Sequence, residues 1–148
     1  MKTLTYILLL TSVAFAGSKE LLEKGEEVFR KSCSTCHLES VSPEKLKGIR
    51  DVVKSGGKPP LKAPPMSEVS ARVKKFYPEE EKFIEFVKDY ITNPSREKGV
   101  CLPMAYKLFG VMPPIGRTLS EGEKEAVSFW LYHRFTDSWE EFIEKNPH

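Results

Sequence analysis

Apolar residues recur every three or four positions along most of the chain, which is the period of an amphipathic α-helix. The first of these segments, from Ser18 to Ser32, predicts a helix with Ser18 as its N-cap. Further helices are predicted from Ser42, from Ser67 to Phe76, from Pro78 to Asn93, from Ser120 and from Asp137. No segment alternates with the period of two that is typical of a strand. The sequence therefore predicts an all-α fold.

A glycine, Gly25, interrupts the first predicted helix. Glycine in a helix interior costs ~1 kcal/mol relative to alanine, so we expect a structural reason for it. The usual reason is the close crossing of a second helix.

The beginning of the chain has the pattern of a secretory signal peptide, with a basic Lys2, an apolar run from Leu4 to Phe15 and an Ala-x-Ala cleavage site ending at Ala16. The apolar run is shorter than the ~20 residues that a membrane-spanning helix needs. We therefore predict a signal peptide over residues 1–16 and one exported domain over residues 17–148, without an integral membrane segment after cleavage. An uncleaved N-terminal anchor is the alternative.

Charged residues of both signs are interspersed along the chain, and the formal net charge is +2 at pH 7. Cleavage of the signal peptide would remove one lysine and no acid. Because no basic stripe is present, the composition argues against nucleic acid as a partner.

The most specific motif in the chain is Cys33-Ser34-Thr35-Cys36-His37. The Cys-x-x-Cys-His spacing is typical of covalent haem attachment, because both thiols can add to the vinyl groups of one porphyrin. The adjacent histidine is then held beneath the iron as its proximal ligand. We therefore predict one haem c, bound through Cys33 and Cys36, with His37 as a metal ligand.

A zinc half-site, a thioredoxin-like redox pair and a structural disulfide are the other interpretations of the two cysteines. Zinc needs a second ligand pair, and the remaining Cys101, His133 and His148 form no second Cys-x-x-Cys or His-x-x-His. A thioredoxin-like site is expected to follow a strand, whereas a helix is predicted here. Haem attachment is therefore the preferred interpretation.

The surroundings of the motif resemble a class I (mono-haem) cytochrome c of the bacterial periplasmic type. In that family a glycine and an aromatic residue precede the first cysteine by eight and four positions, which here hold Gly25 and Phe29. The resemblance covers most of Leu21 to Phe135. It implies helices wrapped around one haem, with the first helix crossing the helix that begins at Ser120 where Gly25, Phe29, Val127 and Trp130 meet. It also implies haem attachment on the outer side of the bacterial membrane, in the periplasm. An insertion over Leu38 to Lys62 and the tail after Phe135 depart from the minimal family pattern.

Ala63-Pro64-Pro65-Met66 resembles the Gly-Pro-x-Leu segment of the same family. The resemblance implies that Pro64 packs on His37 and that its carbonyl accepts the imidazole N–H. Such a bond would fix the orientation of the ring and strengthen it as a donor to iron. A proline-rich linker is the alternative.

Met112-Pro113-Pro114 resembles the family's Met-Pro loop, which implies that Met112 is the second axial ligand. Met112 and Trp130 are 18 residues apart, as in the small bacterial and algal members. Met104 is the alternative ligand, and it would require a longer loop.

Three further residues are weaker candidates for chemistry. Met66 occupies the position of a haem-packing leucine in the family. His133 lies in the helix that begins at Ser120, where helix packing or surface exposure is expected rather than iron binding. Cys101 is an unpaired thiol, either buried and inert or available for an intermolecular disulfide.

Haem whose two axial positions are filled by protein has no site for a substrate, which leaves electron transfer. We therefore predict an electron carrier rather than an enzyme, either free or as the haem subunit of an oxidoreductase complex, with redox proteins as donor and acceptor. Two alternatives are a haem sensor or enzyme with a labile distal ligand, and a non-haem thiol-redox protein. The oligomeric state is left open.

Overall fold

The computed structural model describes residues 17–147, so the predicted signal peptide and His148 lie outside the described residues. Residues 17–147 form seven α-helices and contain no strand, which confirms the predicted all-α fold. The helices are α1 (residues 17–28), α2 (Pro43–Lys54), α3 (Met66–Phe76), α4 (Glu80–Thr92), α5 (Pro103–Phe109), α6 (Glu121–Arg134) and α7 (Trp139–Lys145). Within this described range, none of the helices combines the length and apolar character needed to cross a membrane.

Serine caps define the starts of three helices. The Ser42 side chain accepts a hydrogen bond from the Lys45 amide at 3.3 Å, and Pro43 follows it at the first helical position. A complete capping box joins Ser120 to Glu123 at the start of α6, as the sequence predicts. The same device joins Ser138 to Glu141 at the start of α7, so the N-cap is Ser138 rather than the predicted Asp137.

Two other predicted helix starts are also wrong. Residue 17 is already helical, so Ser18 lies inside α1 rather than at its N-cap. Helix α4 begins at Glu80 rather than at Pro78. The Pro78 carbonyl accepts a hydrogen bond from the Tyr132 hydroxyl at 2.9 Å, which holds the residues before α4 outside the helix.

The main core lies where α1, α3, α4 and α6 meet. Its buried members are Val28, Phe29, Met66, Val73, Phe83, Val87, Val127, Trp130 and Leu131. Helix α4 packs along α6, and Phe83 on α4 is fully buried at that contact. The helix predicted between Pro78 and Asn93 thus contributes to the core.

A second cluster joins the predicted insertion to the predicted tail. It contains Leu46 from α2, Ala71 from α3, and Trp139 and Phe142 from α7. The Arg50 guanidinium on α2 also donates hydrogen bonds to the carbonyls of Asn146 and Pro147, both at 2.9 Å. The predicted insertion and the predicted tail therefore pack against each other and against α3.

Candidate functional site

Helix α1 continues into a π-helical turn over Phe29–Cys33, which ends at the first cysteine of the motif. The Cys33 thiol is half-buried and packs against the main core, whereas Cys36 is exposed on the following turn. The Cys33 carbonyl accepts hydrogen bonds from the amides of Cys36 at 3.1 Å and His37 at 3.0 Å, which closes that turn. Both cysteines are free thiols in the structure.

Burial raises the pKa of the Cys33 thiol to about 11, and the neighbouring Cys36 adds to the increase. Cys33 is therefore a neutral S–H group at neutral pH. Its environment does not favour the thiolate that a nucleophilic or thioredoxin-like cysteine requires.

His37 is half-buried, and its Nδ1 lies 2.8 Å from the Pro64 carbonyl oxygen. A carbonyl can only accept, so Nδ1 carries the proton and Nε2 keeps its lone pair. Burial lowers the pKa of His37, although the bond to Pro64 opposes that shift. A neutral imidazole with a fixed tautomer and a free Nε2 is the form that binds a metal.

Two backbone hydrogen bonds from the residues that follow Pro64 hold its carbonyl next to His37. The Met66 amide donates to the Leu38 carbonyl at 2.8 Å, and the Ser67 amide donates to the Glu39 carbonyl at 2.9 Å. These bonds tie the start of α3 to the residues directly after His37. The contact between His37 and Pro64 is thus supported by two backbone segments that run side by side in the same direction.

Met112 is half-buried on a different segment, between α5 and a 3-10 turn over Ile115–Thr118. That turn is docked on the end of α4 because Gly116 has no side chain. A Cβ there would lie 2.7 Å from Thr92 Oγ1 and 2.9 Å from the Ile91 carbonyl carbon. Arg117 reinforces the contact by donating to the Thr92 carbonyl at 3.2 Å.

The alternative ligands occupy different environments. Met104 lies on α5 with 48% of its surface exposed, and Met66 is buried in the main core. His133 lies on α6, where its Nε2 is 3.1 Å from a Glu80 carboxylate oxygen. Across the described residues, no group of three or more His, Cys, Asp or Glu side chains could hold a metal ion.

The structure thus brings His37 and Pro64 into contact and places Cys33 and Cys36 on the turn directly before them, while Met112 stands on a separate segment. These residues fit a covalent haem on chemical grounds. The thiols are unpaired, and the imidazole presents a free Nε2. Leu38 follows His37 and Val111 precedes Met112 in sequence, and both side chains are exposed, Leu38 with 43% of its surface and Val111 with 38%. They offer apolar surface to a macrocycle.

Sequence reasoning missed the residues that hold the site in place. Gly116 and Arg117 follow the Met-Pro pair, but a buried glycine without positive φ has no distinctive sequence signal. Helix α5 was also missed, because it has no buried residue and therefore no apolar stripe. Leu102-Pro103 was the available signal, since proline is favoured in the first turn of a helix.

Comparison with known proteins shows a relative whose sequence matches almost the whole chain. No family model matches the chain, and no solved structure matches it. An uncharacterized protein from Aquifex aeolicus (strain VF5) is 61% identical over 145 residues, which cover 98% of this chain and 95% of that protein. The chain belongs to the same protein family as this Aquifex aeolicus protein.

Proposed function

We propose that the protein is a class I cytochrome c that carries electrons in the periplasm through one covalently bound haem. The observation that carries the proposal is the hydrogen bond from His37 Nδ1 to the Pro64 carbonyl at 2.8 Å. It joins the histidine of the Cys-x-x-Cys-His motif to a residue 27 positions away and leaves Nε2 available as an iron ligand. A proline-rich linker would have no reason to make this contact.

Cys33 and Cys36 would hold the haem by addition of each S–H across one vinyl group. In each addition a sulfur–carbon bond forms, the vinyl π bond breaks, and the thiol proton passes to the other vinyl carbon. No oxidant is needed. The half-buried Cys33 would face the core side of the attachment, and the exposed Cys36 the solvent side.

His37 and Met112 would occupy the two axial positions of the iron. A bound haem supplies a one-electron couple whose potential depends on its axial ligands and on the polarity of its surroundings. His37 is oriented by Pro64, and Met112 is carried by a segment docked on α4 through Gly116. If His37 and Met112 both bind the iron, no position on it would be left for a substrate.

The helix packing supports the class I fold. In the structure α1 crosses α6 at Gly25, and the π-helical turn with Cys33 follows immediately after that crossing. The crossing therefore positions the attachment motif relative to the rest of the core. We propose redox proteins as donor and acceptor, with the protein either free or a haem subunit of a larger complex, and export by the signal peptide over residues 1–16.

Absorption spectra of the full chain, produced in a host that matures c-type cytochromes, test the proposal. We expect a low-spin spectrum with the weak far-red band of methionine-ligated ferric haem, unchanged by carbon monoxide. A shift with carbon monoxide would favour a sensor or enzyme with a labile ligand instead. Absence of a Soret band would favour a non-haem thiol protein. Of the two described histidines, His37→Ala should abolish the low-spin spectrum and His133→Ala should preserve it.

A further inference from the structure

The distal segment, which we define as residues 100–114, contains both Met104 and Met112 and begins between the two hydrophobic clusters. Val100 packs against the main core, and Leu102 packs against the second cluster. The start of the segment is therefore in contact with both parts of the interior, and with the C-terminal helix through the second cluster.

The Arg72 side chain on α3 holds the start of the distal segment. Arg72 Nε donates a hydrogen bond to the Val100 carbonyl at 2.8 Å, across 28 positions of sequence. Because the donor is charged and the contact is partly buried, this is stronger than an ordinary hydrogen bond between neutral groups.

The guanidinium of Arg72 is oriented by two aromatic rings. Its Cζ lies 4.9 Å from the centroid of the Phe76 ring and 4.8 Å from the centroid of a Trp139 ring. Cations are attracted to aromatic faces at such distances, and the contacts restrict a side chain that otherwise has many rotamers. Arg72 therefore presents Nε to Val100 in one fixed orientation.

The position of Trp139 depends in turn on the tail. Trp139 is the first residue of α7, and its indole is 8% exposed within the second cluster. The capping box at Ser138 fixes the start of this helix, and Arg50 on α2 binds the carbonyls at its end. A continuous set of contacts therefore runs from the insertion and the tail through Arg72 to the distal segment.

We infer that Arg72, oriented by Trp139, is a positioning residue that holds the distal segment and so keeps its methionine on the iron. The inference rests on the proposed function. A thioether binds iron weakly, so the bond persists only while the surrounding segment keeps the sulfur in place. Gly116 fixes the far side of Met112 on α4, and Arg72 fixes the near side of the segment. The tail, which is additional to the minimal family pattern, thus acquires a role in the stability of the iron–methionine bond.

Lys74 on the same helix provides a matched control. Its Nζ donates to the Phe135 carbonyl and lies 4.7 Å from the centroid of the Tyr132 ring. It makes the same two kinds of contact as Arg72, but at the end of α6 rather than at the distal segment. Replacing each cation by methionine removes both contacts and leaves a side chain of similar length.

The test compares Arg72→Met with Lys74→Met as full-length, haem-loaded proteins. Carbon monoxide can bind the reduced iron only when the distal methionine dissociates, so its binding rate reports how firmly the segment is held. We expect both variants to melt at lower temperature. Only Arg72→Met should lose intensity in the far-red band and bind carbon monoxide, at a rate at least tenfold above the upper limit that the unchanged parent spectrum sets. That factor corresponds to ~1.4 kcal/mol.

If Arg72→Met binds carbon monoxide no faster than Lys74→Met and the parent, the inference is overturned. The low-spin spectrum of the parent would still support the proposed function. A parent without a Soret band would remove the proposed function and the inference together. If Arg72→Met holds no haem, Leu102→Ala decides the question, because it trims the second contact of the same segment. Faster carbon monoxide binding in Leu102→Ala supports the inference, and an unchanged rate overturns it.

Discussion

The Phe29 ring stacks on the Trp130 ring, with centroids 4.7 Å apart and planes inclined by 21°. Gly25, one turn earlier on α1, faces Ala126 and Trp130 on α6. The predicted helix crossing is therefore confirmed. Because Phe29 is also the first residue of the π-helical turn that ends at Cys33, this stack connects the cysteine motif rigidly to α6.

Gly25→Ala should destabilise the protein by ~1–3 kcal/mol through overpacking. A Cβ at this position would lie 2.2 Å from the Ala126 carbonyl oxygen and 2.4 Å from Trp130 Cβ, so the helices must separate. The midpoint of urea unfolding measures the effect.

Gly48→Ala is the control for Gly25→Ala. Gly48 lies within α2, and a Cβ there would meet nothing within 4 Å. We expect a stabilisation of ~0.5–1 kcal/mol, because alanine is the better helix former. If both variants shift the midpoint in the same direction, α1 and α6 do not require glycine at the crossing.

Much of the helical architecture was predictable because each long helix has its own apolar stripe. The second cluster could not be predicted, because only the tertiary fold brings Leu46 and Trp139 together. Arg72 could not be singled out either, because a charged residue on a predicted helix is ordinarily solvent-exposed. The contact between His37 and Pro64 was implied by the family resemblance alone, since nothing in the residues between them indicates a hydrogen bond.

Glu68 on α3 should make stability fall as pH rises above the ordinary glutamate range. Burial raises the pKa of Glu68, and the nearby Arg50 and Arg72 only partly offset this. Between the unfolded value of ~4.3 and the raised folded value, the folded state binds more protons than the unfolded state, so the free energy of unfolding decreases with pH. Glu68→Gln should remove this loss.

Urea midpoints of Glu68→Gln and the parent, compared at pH 4 and pH 7, test this expectation. The urea midpoint of the variant, relative to that of the parent, should be higher at pH 7 than at pH 4. Glu27→Gln, on the exposed side of α1, serves as the control for the loss of one carboxylate. A pH-independent difference for Glu68→Gln would mean that this carboxyl group titrates alike in both states.

Met112→Ala should free the sixth position of the iron, abolish the far-red band, permit carbon monoxide binding and lower the midpoint potential. The potential falls because methionine ligation raises it relative to other ligands. Met104→Ala is the matched control, since Met104 lies on the same distal segment but is 48% exposed on α5. It should leave the band, the potential and the carbon monoxide response of the parent unchanged. Loss of the band in Met104→Ala instead would identify Met104 as the ligand.

The intact mass of the exported protein under denaturing conditions tests the central claim most directly, because only covalently bound haem survives denaturation. We predict a main species with the mass of residues 17–148 plus one haem. Cys101→Ala, which removes the third cysteine, should keep the haem mass, whereas a variant carrying both Cys33→Ala and Cys36→Ala should lose it entirely. A parent chain without added haem mass, or a double variant that retains it, would contradict the assignment of Cys33, Cys36 and His37 as a haem attachment site.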